Sequence, residues 1–255
     1  MNEERQDTWI YGVVPAGASL QELERRHEND GLPQVWVVES GDLAAIVGSP
    51  PEKDEKGTRN QALAHARVLE AAITDSPVVP FRFGIIVPGD NEVASDLLEP
   101  YHDQLAELLE KFEGSVQMTL KVNYDDEVVL REIVDTEEEV ADLKDKMREG
   151  SEEATRDIRV RLGELVSNAV EQRRERDSAE ILERLKQVSL AATVEELEME
   201  FMALNAPFLV ERDRQEEFER AVEEVAEERG DRMRFRLLGP MPPYNFIEAK
   251  EAAWA

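Results

Sequence analysis

Strand-like and helix-like segments follow one another as strand, helix, strand, strand, helix, strand, and the chain runs through that order twice. No motif in the sequence constrains the fold as strongly. In the first pass, DTWIYGVV (7–14) is rich in β-branched and aromatic residues and stops at Pro15-Ala16-Gly17, which predicts a strand. SLQELERRHE (19–28) predicts a helix, with Ser19 as cap and Glu22 completing a capping box, and Asn29-Asp30-Gly31 stops it. QVWVVE (34–39) and LAAIVG (43–48) flank Ser40-Gly41-Asp42, a hairpin signal. RNQALAHARVLEAAI (59–73) sets Leu63, Ala66, Leu69 and Ile73 on one side of a helix. PVVPFRFGIIV (77–87) is apolar and extended, and its two prolines predict an edge or irregular strand, since proline cannot donate to a ladder. A further helix runs from Glu92 to Phe112, bent or divided at Pro100.

The second pass opens with SVQMTLKVNY (115–124), an alternating strand. A long helical stretch follows over 126–187, with Gly150-Ser151 as its expected break. VEELEMEFMALN (194–205) and APFLVER (206–212) are expected as two strands meeting after Asn205. RQEEFERAVEEVAEER (214–229) is helical with Phe218, Val222 and Val225 on one face, and DRMRFRLLG (231–239) is the last strand, ending at Gly239. This is the split order of ferredoxin-like folds. The sequence thus predicts an α+β protein of two tandem domains, each with a βαββαβ-like order, plus a long helical segment and a Pro/aromatic C-terminal tail. The expected boundaries are 1–112, 113–239 and 240–255.

Composition narrows the function. The formal net charge is −28, and of the 30 basic residues 22 are Arg and 8 are Lys. A nucleic-acid partner is not expected, because phosphate neutralisation needs a basic face, and an anionic membrane is disfavoured for the same reason. Abundant acid with little Lys suits a saline cytoplasm, where screening relieves self-repulsion. The longest apolar runs, such as VWVV (35–38) and LAAIV (43–47), are far below the roughly 20 residues of a membrane span. The N-terminal MNEERQDTWIYG has no apolar core of a secretory signal, and the absence of cysteine excludes disulfides and thiol chemistry.

Catalytic patterns are missing. His27, His65 and His102 are the only histidines. Two complete an E-x-x-H, Glu24 with His27 and Glu99 with His102, a spacing that puts both side chains on one helix face as in di-iron bundles. With 58 acidic residues such coincidences are easy, and both pairs read as surface helix residues. No phosphate-binding loop, nucleophile elbow or zinc-helix motif occurs, so no catalytic residue, cofactor or metal site is expected. The informative segments are apolar. PVVPFRFG is expected to place Phe81 and Phe83 on one strand face and Arg82 on the other. LLGPMPPYNF (237–246) sets a stiff proline block before two aromatics in a chain that is only 6% aromatic.

Taken in order, HARVLEAAITDSPVVPFRFG, MALNAPFLVERDRQEEFERAV and LLGPMPPYNF resemble the gas vesicle protein F/L family. The matching positions are His65, Val68, Leu69 and Glu70; then Val78, Pro80, Arg82, Phe83 and Gly84; then Leu204, Asn205, Ala206, Phe208, Leu209 and Val210. The terminal block matches at Gly239, Pro240, Pro242, Pro243, Tyr244 and Phe246, with Met241 where the family has Trp. The family's Gly-x-x-Tyr-Leu before the long helix is not legible in REGSEEATRDIRV. The resemblance implies a non-enzymatic accessory protein of gas vesicles, located on them or in the cytoplasm. It implies assembly in contact with the small hydrophobic shell protein and other vesicle accessory proteins, and a ferredoxin-like C-terminal domain. The alternative is a chaperone-like adaptor that holds the shell subunit and does not stay on the vesicle. Within this picture the Pro block presets an extended chain so that Tyr244 and Phe246 dock as a clasp between the domains, with Arg82 stacking on Tyr244. A free Pro-rich ligand for an external domain is the other reading of the segment. The candidate clasp or partner-binding residues are therefore Phe81, Arg82, Phe83, Pro242, Pro243, Tyr244 and Phe246.

Overall fold

A computed structural model describes residues 7–50, 57–149 and 156–247. It is a mixed α+β structure with two antiparallel sheets and a long helix, and the chain divides into two compact units. Unit 1 holds the chain up to Met118, Glu211–Asp213 and the segment from Gly239 onward; unit 2 holds Thr119–Val210 and Arg214–Leu238. The expected break at Gly150-Ser151 and the end of the expected tail, beyond residue 247, lie outside the described residues.

In unit 1 the elements are β1 (Thr8–Pro15), α1 (Gln21–Asp30), β2 (Val35–Ser40), β3 (Leu43–Gly48), α2 (Gly57–Asp75), β4 (Val79–Pro80), β5 (Ile86–Val87), α3 (Asp90–Val93) and α4 (His102–Phe112). The sheet order is β2-β3-β1-β4, with β5 also paired to β1. β1 and β3 are buried along almost their whole length, which explains their continuous apolar sequences, while β2 is a half-exposed edge. Gly12 of β1 is there for space: a Cβ would stand 2.7 Å from the Val79 carbonyl oxygen and 2.9 Å from Leu69.

Three expectations change here. The strand foreseen over 77–87 is only Val79–Pro80 and Ile86–Val87, because the chain turns at Phe83-Gly84, where Gly84 has φ +100. The helix foreseen from Glu92 is divided: Pro100 has no N–H, the chain before it widens into a π turn over Ala94–Leu98, and α4 starts beyond it. Ser19 does not cap α1, whose N-cap position is Leu20 with no side-chain bond. The Glu22 amide instead donates to Asp75 at the end of α2 (2.7 Å), and the Glu22 carboxylate is taken by Arg25 and Arg26 (2.6 and 2.7 Å).

Unit 2 is built on β6 (Ser115–Tyr124), which opens in unit 1, with α5 (Asp126–Thr136), α6 (Glu138–Glu149), α7 (Arg156–Leu185), β7 (Ala191–Ala192), β8 (Met202–Glu211), α8 (Gln215–Arg229) and β9 (Met233–Met241). The sheet order is β7-β8-β6-β9. The helical stretch is interrupted at Glu137, whose extended backbone separates α5 from α6. The two strands expected to meet at Asn205 are one, β8, while 194–201 lies outside any strand. Pro207 accounts for this. It accepts from Thr193 but has no N–H to return, so pairing on that side shrinks to Ala191–Ala192 while β8 itself runs on. Similarly, β9 continues past Gly239 to Met241. Gly239 at φ +133 lets the chain pass where a Cβ would stand 2.8 Å from the Gln117 carbonyl oxygen, so it bends the strand without ending it.

Candidate functional site

The C-terminal segment is built into unit 1. Pro242 and Pro243 are buried, and a single 3₁₀ turn over Tyr244–Phe246 buries Phe246. Gln117, itself buried, donates from Nε2 to Asn245 Oδ1 (2.8 Å) and accepts from the Asn245 amide at Oε1 (3.1 Å). Lys111 Nζ donates to the Phe246 carbonyl (2.8 Å). Burial, with the Glu70 carboxylate as a second cause, pushes the Tyr244 hydroxyl above the usual phenol range. The expected stack of Arg82 on Tyr244 is not formed: Arg82 is exposed, and among the described residues no ring contact joins the two. The side chains that hold the segment, Lys111 and Gln117, carry no local signal, since their pairing spans well over a hundred residues of chain.

Phe81 and Phe83 do not share a strand face. Phe81 is fully buried, while Phe83, in the turn itself, is 36% exposed. Both nevertheless meet His65 of α2. The Trp9 indole N–H can only donate, and it donates to His65 Nδ1 (3.1 Å). The His65 proton is therefore on Nε2, which donates to the Phe81 carbonyl (2.9 Å). Tyr11 stacks on the imidazole at 5.0 Å, and Phe83 meets the indole of Trp9 at 5.0 Å. Burial lowers the His65 pKa and raises that of Tyr11 to about 12. This makes His65 a neutral bridge between β1 and the turn after β4.

A groove of about 270 Å³ opens between α1 and the edge strand β2. Leu20, Leu23, Val35, Val37 and Ala44 give it an apolar floor, and Glu24, His27 and Glu39 stand on its rim. Val37 is 43% exposed, and among the described residues β2 has a strand neighbour only on its β3 side. His27 is engaged with the Leu32 carbonyl (2.7 Å). His102 lies between Asp42 (2.5 Å) and Asp103 (3.1 Å), which raise its pKa. Neither E-x-x-H pair gathers a ligand set, and among the described residues no group of three or more His, Asp or Glu could hold a metal ion. No helix among them is long and apolar enough to cross a membrane.

Unit 2 contains an ionic knot. Asp177 of α7, only 1% exposed, accepts from the Tyr124 hydroxyl (2.7 Å) and faces Arg232 (2.7 Å), Arg176 (3.2 Å) and Arg229 (3.7 Å). Arg232 in turn holds Glu132 of α5 (2.9 Å) and lies over the Tyr124 ring. Burial raises the Asp177 pKa, but the Tyr124 hydroxyl and Arg232 outweigh it and leave the carboxyl below its ordinary value. The knot joins four elements, which is a structural role.

Unit 1 thus presents an open apolar groove, and its three histidines are all engaged. Comparison with known proteins identifies the family. The family model for the gas vesicle synthesis proteins GvpL/GvpF matches residues 7–248, and the chain belongs to this family. Gas vesicle protein F of a Streptomyces species is 31% identical over 94% of this chain and 99% of its own length. Gas vesicle protein L of the same organism is 28% identical, over 94% and 90%. The crystal structure of GvpF from an Anabaena species has the same fold, with a TM-score of 0.78, 22% identity and coverage of 95% of this chain and 98% of that one.

Proposed function

We propose that this protein is a non-enzymatic accessory protein of gas vesicle assembly, which binds the small hydrophobic shell protein and other vesicle proteins in the cytoplasm and at the vesicle. The observation that carries this reading is the α1–β2 groove: an apolar floor beside an unpaired sheet edge, in a chain whose remaining surface is strongly acidic. An apolar segment laid there would bury Val37 and gain main-chain hydrogen bonds from β2. Each unit is read as a ferredoxin-like module, from the split order and the strand order common to both sheets. The C-terminal segment is read as part of unit 1's own structure, with Phe81, Arg82 and Phe83 flanking the His65 bridge.

Capture of the shell protein by the full chain at molar salt tests the reading. Retention should hold or strengthen as salt rises, because burial of apolar surface is not screened. Val37→Asp should abolish it while leaving the fold intact. Capture lost steeply with salt, or unaffected by Val37→Asp, refutes the groove. Flotation separates the two roles of such a binder: an assembly component floats with purified vesicles, whereas an adaptor that only holds the shell subunit stays behind.

A further inference from the structure

We propose that unit 2 carries a docking edge of its own, running from Ser189 to Met199, for an extended partner segment in which apolar residues alternate with Lys or Arg. β7 is the end strand of its sheet, and among the described residues the chain around it is backbone-bonded only to β8. Leu190, Thr193 and Glu195 donate their amides inward to Leu209, Pro207 and Asn205 of β8 (2.8, 3.0 and 2.8 Å). Asn205, a residue of the second block that resembles the family, adds a side-chain bond to the Glu196 carbonyl (3.1 Å). By the alternation of an antiparallel ladder, Val194 between two inward donors turns its own N–H and C=O away from β8, where a further strand would meet them.

The side chains on this edge are not those of a solvated loop. Leu190, Val194, Leu197 and Met199 are 54%, 57%, 37% and 55% exposed, an apolar cluster on a surface otherwise rich in charge. Glutamates interleave with them. Glu198 is paired with Lys121 (2.5 Å), while among the described residues Glu195, Glu196 and Glu200 have no ion-pair partner. That charge frame selects the occupant. A second copy of this chain would set the same carboxylates against each other, and an anionic membrane would be repelled in the same way. A segment with basic residues between apolar ones satisfies both the apolar stripe and the free carboxylates. This edge belongs to unit 2, so it operates whether or not the groove of unit 1 takes the shell protein.

The test uses the full chain and labelled peptides of about ten residues, long enough for one strand: alternating Val-Lys, alternating Ser-Lys, and alternating Val-Glu. The Val-Lys peptide should bind, and hydrogen exchange at the Val194 amide should slow when it does. Ser-Lys measures attraction of a basic peptide to an acidic protein and should bind at least about tenfold more weakly. Exchanging Leu190, Val194 and Met199 together for Ser should weaken Val-Lys binding by a similar factor. Exchanging Glu195, Glu196 and Glu200 for Lys should transfer binding to Val-Glu. Equal binding of Val-Lys and Ser-Lys, an unaffected Ser variant, or protection outside 189–199 overturns the proposal. So does protection of the Val194 amide by self-association of the free chain, which would make the occupant a second copy.

Discussion

Replacing Asp177 by Ala should destabilise unit 2 far beyond an ordinary surface substitution. Among the described residues the carboxylate is the only acidic group facing Tyr124, Arg176, Arg229 and Arg232 together, and it is 1% exposed. Removing one partner from a buried ion pair costs about 3–5 kcal/mol, because the other charge is left without compensation. Here that figure is reduced. Arg232 keeps Glu132 at 2.9 Å and Arg229 keeps Glu180 at 2.7 Å, so neither guanidinium is stranded. The remaining losses are the Tyr124 hydroxyl bond, about 1.5–3 kcal/mol for a bond to a charged group, and the small cavity where the carboxylate stood. A net loss of about 2–3 kcal/mol follows, which for a chain of this size lowers the melting temperature by roughly 5–10 °C. Asp177→Asn preserves an acceptor for Tyr124 but not the charge, and should lose about half as much. Urea unfolding of the full chain, followed by far-UV circular dichroism and by hydrogen exchange in α7 and β9, measures the effect. A loss below about 0.5 kcal/mol, the level of an ordinary surface substitution, would refute the reasoning.

Burial lowers the His65 pKa in the folded chain, and protonation would also set an N–H against the Trp9 indole N–H. The neutral form is favoured by folding, and the stability it contributes is present above the unfolded pKa near 6.5 and is lost as pH falls from there toward the depressed folded value. Urea titrations between neutral and mildly acidic pH should show that loss, and His65→Leu should remove it while costing about 1–3 kcal/mol for the unpaired indole and carbonyl. Phe246→Ala should cost about 3 kcal/mol through lost burial, with hydrogen exchange rising in unit 1; an unchanged isolated protein with vesicle formation lost would make the segment an external binding motif. With a net charge of −28, thermal stability should rise from millimolar to molar salt, and a melting temperature indifferent to salt would contradict the self-repulsion argument.

The sequence by itself determined the helices, most strands and the family. Apolar periodicity is a local property: burial repeats every second residue in a strand and every third or fourth in a helix. Thus the α8 face Phe218, Val222, Val225 was legible without a structure; the β1 and β3 runs were legible from their continuous β-branched and apolar residues, and the division of the helix from Pro100. Three spaced blocks were enough to recognise the family. Tertiary structure decided everything that depends on a partner distant in sequence. Ser19 is a plausible cap by its neighbours, yet Asp75 bonds the α1 terminus. Asn205 reads as a turn, yet it lies inside β8, where its carbonyl accepts from the Glu195 amide, well before it in the chain. Phe81 and Phe83, two residues apart, separate into core and surface because Gly84 turns the chain between two short ladders. The groove, the open edge at Val194 and the Asp177 knot left no sequence signal, since each is made by residues that meet only when strands and helices have closed on one another.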